Sequence, residues 1–131
     1  MNAIKSYISW LKDNLTEVEV APGIIEVTTP FLDRHNDYTQ IYIEEKEDGE
    51  YRLTDDAYII SDLRTCGIDP YSKKQKTLIL DAARKRGVHV DFNTNELWIT
   101  AVKEDLGEAQ HYLLQTMSDV YHAINLSSIK E

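Results

Sequence analysis

Two short runs hold most of the side chains able to do chemistry: Asp33-Arg34-His35-Asn36-Asp37, and Thr54-Asp55-Asp56 with Asp62 beyond it. Carboxylates gathered beside a histidine suit two tasks. They can hold Mg²⁺ or Mn²⁺ through oxygen ligands, or share a proton through mutually raised pKa values. An ion site would use Asp33, Asp37, Asp55 and Asp56, and a metal-dependent hydrolase or nuclease would add His35. The competing account is structural. Asp and Asn in tight connections bond their own backbone, Asp55 or Asp56 caps a following helix, and Arg34 neutralises its neighbours.

Other chemistries find less support. A nuclease pattern, an acid followed by Glu-x-Lys, can be written as Asp37 with Glu44-Glu45-Lys46. In a chain this charged such spacing arises by chance, and residues 44–50 equally form a solvated hairpin tip. Cys66 precedes Gly67 at the carboxyl end of a helix, the wrong end of the dipole for a reactive thiolate. His89 sits on the outward face of a strand, and His111 and His122 are about three turns apart on one helix. None has zinc-ligand spacing. There is no glycine-rich phosphate loop, no Gly-x-Ser-x-Gly elbow and no Cys-x-x-Cys, so no cofactor is expected.

The elements that must position these groups follow from periodicity. Ile4, Ile8, Leu11 and Leu15, widened by Tyr7 and Trp10, make an amphipathic helix that ends before the Pro22-Gly23 turn. Residues 24–29 form a strand bounded by Gly23 and Pro30. A second strand covers 40–46, with Ile41 and Ile43 facing one way and Tyr42 and Glu44 the other. Asp48-Gly49 turns the chain into a third strand at 51–54. A short helix at 57–64 stops at Gly67. The next opens on the capping pair Ser72 and Gln75, buries Leu78, Ile79, Ala82 and Ala83, and closes at Gly87. A second hairpin spans 88–102 around Asn93-Thr94-Asn95. Leu106, Ala109, Leu113, Met117, Val120 and Ile124 form the seam of a last helix.

These predict a single α+β domain over residues 1–131. Its sheet is about five-stranded and mainly antiparallel, a β-meander plus a hairpin, with about four helices packed on it. In a meander the end of the first strand and the end of the third share a rim. Asp33, Asp37, Asp55 and Asp56 are therefore expected to converge there, beside an anionic turn.

Charge narrows the partners. Among 131 residues, 14 Lys+Arg against 23 Asp+Glu give a net charge of −9. That opposes tight binding to bare nucleic acid and to anionic lipid. No apolar run is long enough to cross a membrane, no secretory leader is evident, and a single cysteine fits a cytoplasmic protein. The charge is unevenly spread. Glu44, Glu45, Glu47, Asp48, Glu50, Asp55 and Asp56 face only Lys46 and Arg52 across 44–56. Lys73, Lys74, Lys76, Arg84, Lys85 and Arg86 face only Asp81 across 73–86. Opposite patches of this kind suit docking of a protein or head-to-tail self-association. They are equally the polar faces of a hairpin and a helix. Eight tyrosines, Tyr51 among them, suit sheet packing and also interfaces.

The blocks Thr29-Pro30-Phe31-Leu32-Asp33-Arg34-His35-Asn36-Asp37 and Tyr51-Arg52-Leu53-Thr54-Asp55-Asp56-Ala57-Tyr58, with Ile41-Tyr42-Ile43 between, resemble a bacterial and phage family. It is catalogued as domain of unknown function eighteen twenty-eight, and the likeness runs over nearly the whole chain. The resemblance implies glycine where this chain has Ala57. It implies no activity, but kinship with short proteins of phages and mobile elements in Gram-positive bacteria, and so a role in host–phage conflict.

Three functions compete. The first is a non-catalytic, protein-binding inhibitor of a host nucleic-acid-processing or defence complex, an anti-CRISPR protein being one form. Its contact residues would be Glu44, Glu45, Glu47, Asp48, Glu50, Tyr51, Asp55, Asp56, Lys73, Lys74 and Lys76, the carboxylates standing in for phosphates. The second is the metal-dependent hydrolase or nuclease on the aspartate cluster. The third is a regulatory homo-oligomer assembled through the helix carrying Leu106 to Ile124.

Overall fold

The computed structural model describes residues 1–129, with side chains at the carboxyl end described through Asn125. Four helices, α1 (Ala3–Asn14), α2 (Tyr58–Thr65), α3 (Lys73–Arg84) and α4 (Leu106–Ile129), accompany six strands. The strands are β1 (Thr16–Ala21), β2 (Ile24–Leu32), β3 (Tyr38–Glu45), β4 (Glu50–Thr54), β5 (His89–Asp91) and β6 (Glu96–Val102). They form one antiparallel sheet in the order β1-β2-β3-β4-β6-β5. The meander is present, and the second hairpin joins it through β6 beside β4.

The sixth strand is the main departure from the five expected. Thr16-Glu17-Val18-Glu19-Val20 alternates with period two, yet neither face of β1 is covered. Its apolar residues therefore mark no core. Pro22 and Gly23 make the turn into β2, with Gly23 at φ 75, a value a type II turn assigns to glycine. β2 also runs past Pro30 to Leu32. The ladder shifts register between Thr28 and Leu32, and that irregularity accommodates a residue without an N–H. The Thr29 hydroxyl fills the gap, donating to the Thr39 carbonyl at 2.9 Å and accepting from the Phe31 N–H at 3.2 Å.

Pleating gives the sheet two unlike faces. Val27, Ile41, Ile43, Leu53 and Leu97 point to one side and are buried under α2, α3 and α4. The α4 seam, Ala109, Leu113, Met117, Val120 and Ile124, closes this core from above. These seam residues are thus spent inside the monomer, and any contact of α4 with a second copy would have to use its other faces. On the other face a polar ladder runs between strands. Tyr42 donates to Glu26 at 3.0 Å, while Arg52 and Thr54 donate to Glu96 at 2.9 and 2.7 Å.

α3 opens as its sequence predicts, the Gln75 N–H donating to the Ser72 hydroxyl at 3.2 Å. The apolar stripe of α1 behaves otherwise. No residue of that helix is buried, and Ile4, Tyr7, Ile8 and Trp10 each keep more than half their surface exposed. Among the described residues, no helix is long and apolar enough to cross a membrane.

Candidate functional site

The rim where β2 and β4 end is built by backbone chemistry. Asp33 leaves β2 and folds the connection around itself. Its Oδ1 accepts the N–H of His35 at 2.8 Å and of Asp37 at 3.0 Å, and Asn36 takes the left-handed φ of 61 that the turn needs. Its Oδ2 accepts the Tyr58 hydroxyl at 2.7 Å, tying this connection to the first turn of α2. Burial alone would raise the Asp33 carboxyl. The Tyr58 hydroxyl and the two backbone N–H groups outweigh it and hold the group below its usual range.

On the neighbouring connection Asp55 is almost wholly buried, with 1 % of its surface exposed. Its Oδ1 accepts from the N–H groups of Ala57 and Leu97, both at 3.0 Å, and its Oδ2 from Ile59 at 3.1 Å. One side chain thus joins the end of β4, the start of α2 and β6. Burial pushes its pKa up to about 6 against the opposing pull of those N–H groups, with Glu96 adding a further upward push. Asp55, not Asp56, organises the start of α2. Asp56 and Ala57 precede the helix in left-handed conformation, at φ 56 and 65. Ala57 therefore adopts, with a Cβ, the geometry that glycine would favour.

Beside them lies a denser constellation centred on Asp62 of α2. It accepts the Arg34 Nε at 3.0 Å, His35 Nε2 at 2.9 Å and the Tyr121 hydroxyl of α4 at 2.6 Å. The Arg34 guanidinium also stacks 4.9 Å from the centre of the Tyr121 ring and bonds to the Cys66 sulfur. Burial would raise the Asp62 carboxyl, but the donors Tyr121, His35 and Arg34 hold it low. Burial and the Asp62 carboxylate together drive the Tyr121 phenol well above its ordinary value.

His35, Asp62 and Cys66 place one potential ligand atom each within 4.8 Å of one another, the closest approach to a metal-binding set among the described residues. The positive charge in that cluster is already supplied by Arg34, on both Asp62 and Cys66. A divalent ion entering it would have to displace or repel a guanidinium. The tetrad of Asp33, Asp37, Asp55 and Asp56 does share one rim, and all four line a single open groove of about 850 Å³. Their carboxylates do not converge on one point, because those of Asp33 and Asp55 are turned onto backbone N–H groups and Tyr58.

The other predicted contact residues fall elsewhere. Glu44 and Glu45 close β3, Glu47 and Asp48 form the turn, and Glu50 and Tyr51 open β4. This anionic tip is at the opposite end of β3 and β4 from the aspartate rim. The two acidic surfaces expected side by side are therefore separated by the length of the sheet. Tyr51 packs against the core. Lys73, Lys74 and Lys76 occupy the first turn of α3, beside the β5–β6 hairpin. There the Lys76 ammonium lies 5.0 Å from the centre of the Phe92 ring, and Tyr71 bonds Asn95 at 2.6 Å. They do not join the Glu44–Glu50 tip. The Asp62 cluster had one legible signal. Tyr58, Asp62 and Cys66 recur every fourth residue, a polar line on the face of α2 away from Ile59, Ile60 and Leu63.

A family model described as a domain of unknown function, DUF1828, matches residues 29–120. That span holds the whole aspartate rim, the anionic tip and every member of the Asp62 hub except Tyr121, and it excludes α1 and β1. No curated protein and no solved structure matches the chain.

Proposed function

The chain belongs to the DUF1828 family, and from that premise we propose that it is a non-catalytic protein-binding protein that inhibits a nucleic-acid-processing partner. The observation that carries this reading is a division of labour among the carboxylates. Asp33, Asp55 and Asp62 are consumed by hydrogen bonds and by Arg34. Glu45, Glu47, Asp48 and Glu50 project into solvent at a hairpin tip, and Glu44 is only half covered and pairs with Lys46 at 3.0 Å. Carboxylates committed in this way are poor metal ligands. A turn bearing five exposed or half-exposed acids instead offers the clustered negative charge that a basic nucleic-acid channel attracts. The partner class is a host defence or nucleic-acid-processing complex, with an RNA-guided nuclease as one concrete form.

The test is inhibition of DNA cleavage by purified effector nucleases of Gram-positive hosts, an RNA-guided one included, at physiological salt. The protein should inhibit one of them. The variant Glu44→Gln, Glu45→Gln, Glu47→Gln, Asp48→Asn, Glu50→Gln should lose at least about tenfold in potency, since charge pairs at such interfaces are worth more than ~1.4 kcal/mol in sum. Equal potency of that variant would refute the mechanism. Cleavage of nucleic acid by the protein itself with Mg²⁺ or Mn²⁺ would refute the non-catalytic reading.

A further inference from the structure

α1 is an amphipathic helix with its apolar stripe left in water. A helix of 12 residues is marginal on its own, and its stability comes from packing an apolar face. Here that face is Ile4, Tyr7, Ile8 and Trp10, all exposed, with exposed Leu15 just beyond the helix end and only Leu11 partly covered, and the chain runs into edge strand β1 at Thr16. Something must cover it. The same molecule carries a groove of matching length. The groove's floor follows one side of α4 through His111, Leu114, Gln115, Ser118, His122 and Asn125. At the helical rise this is about 21 Å, against about 18 Å for α1. Phe31, Leu32 and Tyr38 supply its apolar wall and are themselves 44, 58 and 63 % exposed.

We propose that α1 of a second copy lies in this groove, and reciprocally, so that the protein is a twofold dimer held by exchanged helix-in-groove contacts. Charge favours a second copy as occupant. Lys5 and Lys12 flank the α1 stripe about 10 Å apart. The groove mouth carries Asp37 and Asp56, and none of the four is in an ion pair among the described residues. Residues 1–14 carry Lys5 and Lys12 against Asp13 alone, a basic helix on a chain of net charge −9. Tyr7 of the same copy already stands at the groove's edge. The incoming helix therefore runs alongside the resident one, with the twofold axis between them. Area favours it too. Eight half-exposed large apolar side chains, at roughly 100 Å² each, bury on the order of 1,600 Å² in the pair, the size of a standard stable interface.

The experiment is sedimentation equilibrium on the full chain from about 1 to 100 μM, with far-UV circular dichroism as a check of folding. The wild-type protein should be a dimer. Ile8→Glu should be a monomer that keeps a folded far-UV spectrum, because Ile8 is largely exposed in the single copy, with thermal unfolding lowered only by the stabilisation that dimerisation supplied. Asp37→Lys with Asp56→Lys should weaken dimerisation at least tenfold, and adding Lys5→Asp with Lys12→Asp should restore it. A monomeric wild-type protein overturns the proposal and leaves α1 to a different protein's surface. So does a dimer that survives Ile8→Glu. A dimer lost with Ile8→Glu but indifferent to the charge reversals overturns the groove as the seat of the helix.

Discussion

Replacing Asp55 separates its structural role from an ion-binding one. Its two oxygens accept three backbone N–H groups, from Ala57, Leu97 and Ile59, in a site 1 % exposed. Asp55→Ala strands all three donors. At ~1–3 kcal/mol for each buried group left unsatisfied, and allowing for partial relaxation, the loss is about 4 kcal/mol. Asp55→Asn keeps one acceptor oxygen, which can still serve Ala57 and Leu97, but presents an amide N–H₂ to the N–H of Ile59. Its cost is about 2 kcal/mol. A typical domain has only ~5–15 kcal/mol of stability, so both changes are large. Urea unfolding at pH 7 measures them as shifts in midpoint at constant slope.

The pH dependence adds a second signature. The folded Asp55 has a pKa of about 6, above the ~3.9 of an unfolded aspartate, so the native state binds more protons between those values. Stability contributed by this residue is greatest below pH ~4 and declines as pH rises through 6, by on the order of 2–3 kcal/mol. That decline should vanish in Asp55→Asn. If Asp55→Ala unfolds within 1 kcal/mol of wild type, or if Asp55→Asn keeps the slope between pH 4 and 6, the assignment of Asp55 as the joint of β4, α2 and β6 is wrong.

Three smaller outcomes follow from the same geometry. Ala57→Gly should stabilise by about 0.5 kcal/mol. The left-handed φ costs an alanine ~1–2 kcal/mol, offset by the looser unfolded glycine and one half-buried methyl, and calorimetry would register this as a rise of a few degrees. Tyr121→Phe removes the hydroxyl that Asp62 accepts at 2.6 Å and should cost about 2 kcal/mol in urea. It should also raise the Asp62 carboxyl, so that stability, retained above the unfolded aspartate pKa and lost as pH falls, begins to fall at higher pH than in wild type. The fivefold neutralisation of the 44–50 tip should leave thermal unfolding within about 0.5 kcal/mol of wild type, since exposed charges contribute little to stability. A larger loss in circular-dichroism melts would mean the tip is structural.

The legible parts of the fold were those whose patterns have a buried face. Ile41 and Ile43 against Tyr42 and Glu44, Ser72 at the head of α3, and the α4 seam each appear in the structure as their spacing predicts. β1 was silent because its alternation is solvated on both sides. Pro30 looked like a strand end, yet the register shift after Thr28 lets the strand pass through it. The rim's existence followed from meander topology. Which aspartate does what did not, because Asp55 and Asp56 differ only in direction, one turned onto three N–H groups and the other toward solvent. The Asp62 hub depends on Tyr121, which is far away in sequence, and no local period announces such a contact.

The outer edge of β1 has a last consequence. An uncapped strand with Val18 and Val20 on one side is the sort of segment that recruits its own kind into ribbons and filaments. Here an antiparallel self-match centred on Val18 would set Glu17 of each chain against Glu19 of the other. Two like-charged couples then resist the very alignment that the valines invite.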